Sequence, residues 1–164
     1  MKPMVMRTMG GFIRKLESDG LSEYARELRC ILAMSRRRRD ALTALSNMTI
    51  TLLTHLVKYV ALPRSHDRHK WRGEIRGYLS AFNIRNKRPR GKPWISAEEV
   101  KRDLNDVLST PGFRKHMARH LESYPERDRV LRFLSGKVRI RDLGVGLSFS
   151  DDCDLEVVID ERVL

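Results

Sequence analysis

Apolar residues recur every three or four positions along most of the chain, and that spacing predicts helices. After the turn signal Ser18-Asp19-Gly20, Leu21, Tyr24, Leu28, Ile31 and Leu32 mark one helical face. From Asp40 onward Leu42, Leu45, Met48, Leu52, Leu53, Leu56 and Val60 continue such a stripe until Pro63 stops it. A shorter helix carries Trp71, Ile75, Tyr78, Leu79 and Phe82, and a breaker-rich connection from Asn83 to Ile95 follows, with Pro89, Gly91 and Pro93. Ser96-Ala97-Glu98-Glu99 reads as a capping box opening a helix that buries Val100, Leu104, Val107 and Leu108. Thr110-Pro111 supplies a cap and a proline for the first helical position, ahead of Phe113, Met117, Leu121 and Tyr124. Pro125 either kinks this helix or begins another, which holds Val130, Leu131, Phe133 and Leu134. Beyond Gly136 the period changes. Val138/Ile140, Val145/Leu147/Phe149 and Leu155/Val157/Ile159 alternate as short strands do. The expectation is an all-α bundle of five or six helices over residues 10–135, then an acidic tail, 136–164, that is either a small β appendage or disordered.

A length of 164 residues suits one domain with a core of its own. Cys30 and Cys153 are the two cysteines, far apart. They offer no disulfide framework and no thiolate zinc site, which points to a reducing, cytoplasmic setting. The longest uncharged run, Ala41 to Val57, contains Thr43, Ser46, Asn47, Thr49, Thr51, Thr54 and His55, too polar and short for a membrane span. The basic N-terminus lacks an apolar stretch and a cleavage signature, and reads as a frayed start rather than a signal peptide.

Charge changes the picture more. The chain carries +12. Residues 142–164 hold one arginine against seven acids, so the first 141 residues carry 32 basic and 14 acidic side chains. One concentration is Arg36, Arg37, Arg38 and Arg39. The other is Arg64, Arg68, Lys70, Arg72, Arg76, Arg85, Lys87, Arg88, Arg90 and Lys92, against Asp67 and Glu74. Such cations neutralise phosphates and release counterions. Trp71, Tyr78 and Phe82 share their helical stripe with Ile75 and Leu79, which makes them core rather than a base-stacking platform. The pattern therefore supports a non-enzymatic module that binds the nucleic-acid backbone without reading sequence. The alternatives are docking of an acidic protein or of a second copy of the chain, and a basic surface kept for solubility. The acidic tail is placed to compete with polyanions for the body.

Two histidine arrangements invite chemistry. His55 and Lys58 lie one turn apart near the end of the long helix, and Trp71 can fold back onto them. They form either a small anion- or proton-handling pocket or a helix-end lock, in which His55 bonds a backbone carbonyl and Trp71 covers the junction. No carboxylate stands near His55 in the sequence, which favours the lock. His116 and His120 at i, i+4 make half a zinc site that His66 and His69 could complete, but Arg68, Arg114, Lys115 and Arg119 repel a dication, so the reading is a protonatable basic face without metal. Asp151-Asp152-x-Asp154-x-Glu156 lacks the glycine and the closing glutamate of a calcium loop. A magnesium-assisted nuclease on these acids is a weaker alternative. No cofactor and no reaction are read.

The stretch Met34 to Ile75 carries a resemblance. Ser35 with its arginines, Leu52-Leu53, His55-Leu56-Val57-Lys58-Tyr59, and Trp71 with Ile75 resemble the helical bacterial family called domain of unknown function 29. Thr110-Pro111-Gly112-Phe113 and Tyr124 are similar to a second feature of that family. Tyr59 stands where the family usually has tryptophan, and Lys70 where serine precedes the second tryptophan. The resemblance covers roughly residues 23–134 and implies a helical bundle, without specifying chemistry.

Overall fold

The protein, seen in a computed structural model that describes residues 8–89 and 92–160, is all-α with one small sheet. Its helices are α1 (Met9–Ser18), α2 (Ser22–Ala61), α3 (Arg68–Asn86), α4 (Ala97–Leu108), α5 (Pro111–His120) and α6 (Arg127–Phe133). A single 3-10 turn, Ile140–Leu143, leads into β1 (Val145–Phe149) and β2 (Leu155–Ile159). The two apolar stripes on either side of Arg36–Arg39 belong to one helix of 40 residues. Nothing between Met34 and Asp40 breaks a helix, and arginine is a good helix former. Likewise α3 runs on through Asn83 to Asn86, because no proline intervenes before Pro89. Pro125 begins a new helix rather than kinking α5. None of the helices among the described residues is long and apolar enough to cross a membrane.

Contacts divide the chain at Arg39/Asp40, inside α2, rather than near residue 135. In the first unit, Thr8 caps α1 by accepting from the Gly11 amide. The helix ends in a Schellman turn: Gly20, at φ +78°, donates to the Glu17 carbonyl and Leu21 to the Leu16 carbonyl. Ile13 and Ala25 are buried. The stripe predicted from Leu21 to Ile31 is helical but open. Tyr24 is 62% and Ile31 56% exposed, and with Phe12, Leu16, Leu21 and Leu28 they line a shallow groove of about 420 Å³.

In the second unit, the part of α2 from Asp40 buries Leu45, Leu52, Leu53, Leu56 and Val57. Trp71, Ile75, Leu79 and Phe82 of α3 share that core with Val100, Leu104 and Leu108 of α4 and with Phe113 and Met117 of α5. Of the aromatic stripe, Trp71 and Phe82 are buried and Tyr78 packs half-buried against the core. The capping box of α4 forms as the sequence implies: Ser96 Oγ accepts from the Glu99 amide at 3.2 Å, and the Glu99 carboxylate accepts from the Ser96 amide at 3.0 Å. Thr110 caps α5, with Pro111 at its first position.

Three asparagines tie irregular chain to this framework. Asn86 donates from Nδ2 to the Ile95 carbonyl at 2.9 Å and accepts the Ile95 amide on Oδ1 at 2.7 Å. Asn83 grips Leu155 in the same two-sided way, at 3.1 and 2.8 Å. Asn105 accepts the Ile140 amide at 2.8 Å. In each case a side-chain amide satisfies backbone groups that no strand neighbour takes up on that side. Residues 145–159 are an ordered antiparallel hairpin with Val145 opposite Ile159 and Phe149 opposite Leu155. Val138, Ile140, Leu143, Val145 and Leu155 join the same core as the helices.

Candidate functional site

The cations of the long basic segment occupy several settings. Along α3, Trp71, Ile75, Leu79 and Phe82 face inward, which turns Lys70, Arg72, Arg76 and Arg85 outward. Arg72 and Arg76, one turn apart, are exposed and take no ion pair or hydrogen bond among the described residues. Arg68 continues the same ridge one turn earlier, but its Nε donates to the Tyr59 carbonyl at 3.2 Å and its guanidinium stacks 4.2 Å from the Tyr59 ring. Arg85 turns back to the Ala81 carbonyl, and Arg64 and Lys92 are exposed in the flanking connections. Arg88 lies 4.3 Å over Trp94, with Nε buried and without a partner. Lys87 pairs with Asp154 of the hairpin at 3.5 Å. Arg90 lies outside the described residues. In the first unit, Arg36, Arg37 and Arg39 are exposed and Arg38 is half-buried. Consecutive helical residues are about 100° apart, so these four arginines circle α2 instead of sharing a face.

Within the second unit, several acids are engaged away from the ridge. Glu74 faces inward to His55, Asp103 takes the Thr49 hydroxyl at 2.6 Å, Glu99 closes its capping box and Asp142 caps the turn at Arg139. Asp154 and Glu156 do approach α3, lining a groove of about 660 Å³ with Arg76, Ser80, Ile84 and Lys87. The acidic tail thus meets the basic body through Lys87 and the far end of that groove.

A second arrangement gathers the histidines and Lys58. His55 donates from Nδ1 to the Thr51 carbonyl at 2.7 Å, while Nε2 pairs with the Glu74 carboxylate. Both ring nitrogens face acceptors. The carboxylate beside His55 comes from α3, 19 positions along, where adjacency in the sequence could not show it. Trp71 does fold back as expected. Lys58 Nζ lies 5.7 Å from its ring and 6.0 Å from the ring of Tyr124. Across from α2, the Thr54 hydroxyl donates to the Ile50 carbonyl at 2.7 Å, so its oxygen accepts from His116 Nε2 at 3.0 Å. His116 and His120 stand with ring centroids 4.3 Å apart.

Burial is the first cause that depresses Lys58, against the pull of Glu74 and Asp67. Burial likewise holds His116 below its ordinary range, helped by Arg119 and Lys58. His120 is lowered by burial and then by His116, Lys58 and His55. Tyr124 is raised by burial and by Asp67, to which its hydroxyl donates at 3.5 Å. Among the described residues, no three His, Cys, Asp or Glu side chains converge as metal ligands, and His66 and His69 do not complete a set with His116 and His120.

No family model, curated protein or solved structure matches this chain.

Proposed function

We propose that the protein is a non-enzymatic helical module that binds nucleic-acid phosphates through the outer face of α3, without reading sequence. The observation that carries this reading is the pair Arg72 and Arg76: exposed, one turn apart, and without an acidic partner among the described residues. Lys70 and the exposed Arg64 and Lys92 extend the positive field on the same unit. The aromatic side chains of α3 are turned into the core, which favours backbone contact over base stacking. The likeness to domain of unknown function 29 belongs to this reading as a proposal; of its residues, His55 and Lys58 lie on α2 and Trp71 on the buried face of α3, away from the ridge.

Fluorescence anisotropy with a generic duplex and a generic single strand tests it. Affinity is expected to fall linearly with salt on logarithmic axes, by roughly 0.9 per phosphate contact for duplex, giving a slope near −3 for three contacts. Absence of binding at low salt ends the reading.

A second reading, a protein-interaction or self-association module, is favoured by one observation in the first unit. Tyr24, Ile31, Leu21 and Phe12 leave an apolar stripe exposed, larger than scattered surface residues require. Light scattering across concentration is expected to show a mass above that of one chain if the stripe pairs with itself. A constant monomer mass at every concentration removes self-association.

A further inference from the structure

We propose that Lys58, His116 and His120 form a binding site for a phosphate-class oxyanion, taken up as the two imidazoles gain protons. This site is separate from the α3 ridge and does not depend on that ridge binding nucleic acid.

The geometry sets Lys58 one turn from the Thr54 hydroxyl that His116 contacts, and places His120 beside His116. Thr54 and Lys58 are one turn apart on α2, and His116 and His120 are one turn apart on α5. The bond from His116 Nε2 to Thr54 fixes the two helices side by side at that level. Lys58 is half-buried against Trp71 and Tyr124, and among the described residues its ammonium has ring faces but no hydrogen-bond acceptor. A partly desolvated ammonium without an acceptor is unfavourable, and an anion relieves it.

The charged groups that act on the two imidazoles are mostly cationic. From α2 come Lys58 and His55, and from α5 His116, His120 and Arg119. The acids nearby are Glu74 of α3 and Asp67 of the preceding connection, opposed by Lys70. Glu74 is taken by His55, and Asp67 receives the Tyr124 hydroxyl. Neither carboxylate is left to neutralise His116 and His120.

The tautomer sets the pH dependence. His116 uses Nε2–H on Thr54, so the neutral ring presents a lone pair at Nδ1 and repels an anion. Only the imidazolium turns Nδ1 into a donor. Burial and neighbouring cations hold both rings below their ordinary range, which disfavours the imidazolium while no anion is bound. A bound dianion reverses that preference.

The test follows histidine ring resonances of the full-length protein during titration with inorganic phosphate, with sulfate as a probe of nearly constant charge, at about pH 7.5 and about pH 5.5. Both anions are expected to shift His116 and His120 while leaving His66 and His69 in place. Sulfate affinity should rise about tenfold at the lower pH, and bound anion should raise the apparent pKa of both rings. His120→Gln, an exposed position, should abolish most of that rise. Lys58→Gln should weaken binding at both pH values and Lys58→Arg should retain it. A 5′-phosphorylated oligonucleotide that shifts the same two rings, when its unphosphorylated twin does not, supports the site and identifies a strand end as the source. If neither phosphate nor sulfate moves His116 and His120 at the lower pH, or if His66 and His69 move together with them, the proposal is overturned.

Discussion

Replacing Asn86 with alanine is expected to lower the free energy of unfolding by about 3 kcal/mol. The side chain is 1% exposed, and Ile95, the residue it holds, is fully buried. Truncation removes two hydrogen bonds, at 2.9 and 2.7 Å, and leaves the Ile95 amide and carbonyl in the core with nothing to replace them. Each stranded group costs roughly 1–3 kcal/mol, more than the net gain of an average hydrogen bond, because water cannot reach it. A small cavity adds to the loss. Asn86→Asp should not rescue the fold, since it keeps an acceptor for the Ile95 amide but sets a carboxylate against the Ile95 carbonyl. Urea unfolding monitored by helical circular dichroism reads the change as a lower midpoint at unchanged slope. A loss under about 1 kcal/mol means that the connection from Lys87 to Trp94 relaxes onto another partner, and that the clamp is not what holds it.

The same clamp shows where the sequence was legible and where it was not. Ser96 and Glu99 announce the start of α4 because a capping box is local: both bonds span three residues and need no tertiary partner. Trp71, Ile75, Leu79 and Phe82 announce an inward face because helical spacing alone groups them. Asn83 and Asn86 fall within what reads as a breaker-rich connection, yet their roles are set by residues 72 and 9 positions away, and a propensity cannot see those. The stripe Leu21, Tyr24, Leu28 and Ile31 was equally readable as helix, but periodicity does not reveal whether anything covers it. Glu74 escaped notice as the partner of His55 for the reason Asn83 did. The four arginines at 36–39 illustrate the opposite error: adjacency in sequence suggests a patch, and helical geometry disperses it.

Reversing both charges in Arg72→Glu/Arg76→Glu is expected to cut affinity for nucleic acid about sixty-fold at 0.1 M salt and to reduce the magnitude of the salt slope by about two. Each phosphate contact on duplex contributes roughly 0.9 to that slope, so relative to 1 M salt each is worth about eightfold at 0.1 M. Two contacts multiply to the stated loss, and the introduced carboxylates add repulsion that further weakens binding at low salt. Both side chains are exposed and without partners among the described residues, so thermal stability should stay within the range of an ordinary surface substitution. Arg68→Glu is a poor substitute, because Arg68 also holds the Tyr59 carbonyl and ring, and its loss mixes stability with binding. The companion variant Arg36→Glu/Arg39→Glu removes the same charge from the first unit. If the α3 ridge is the interface, that variant loses much less affinity and its slope changes less. Equal losses from the two variants point to net charge acting at long range rather than to a defined face, and affinity unchanged in Arg72→Glu/Arg76→Glu excludes the ridge as the contact.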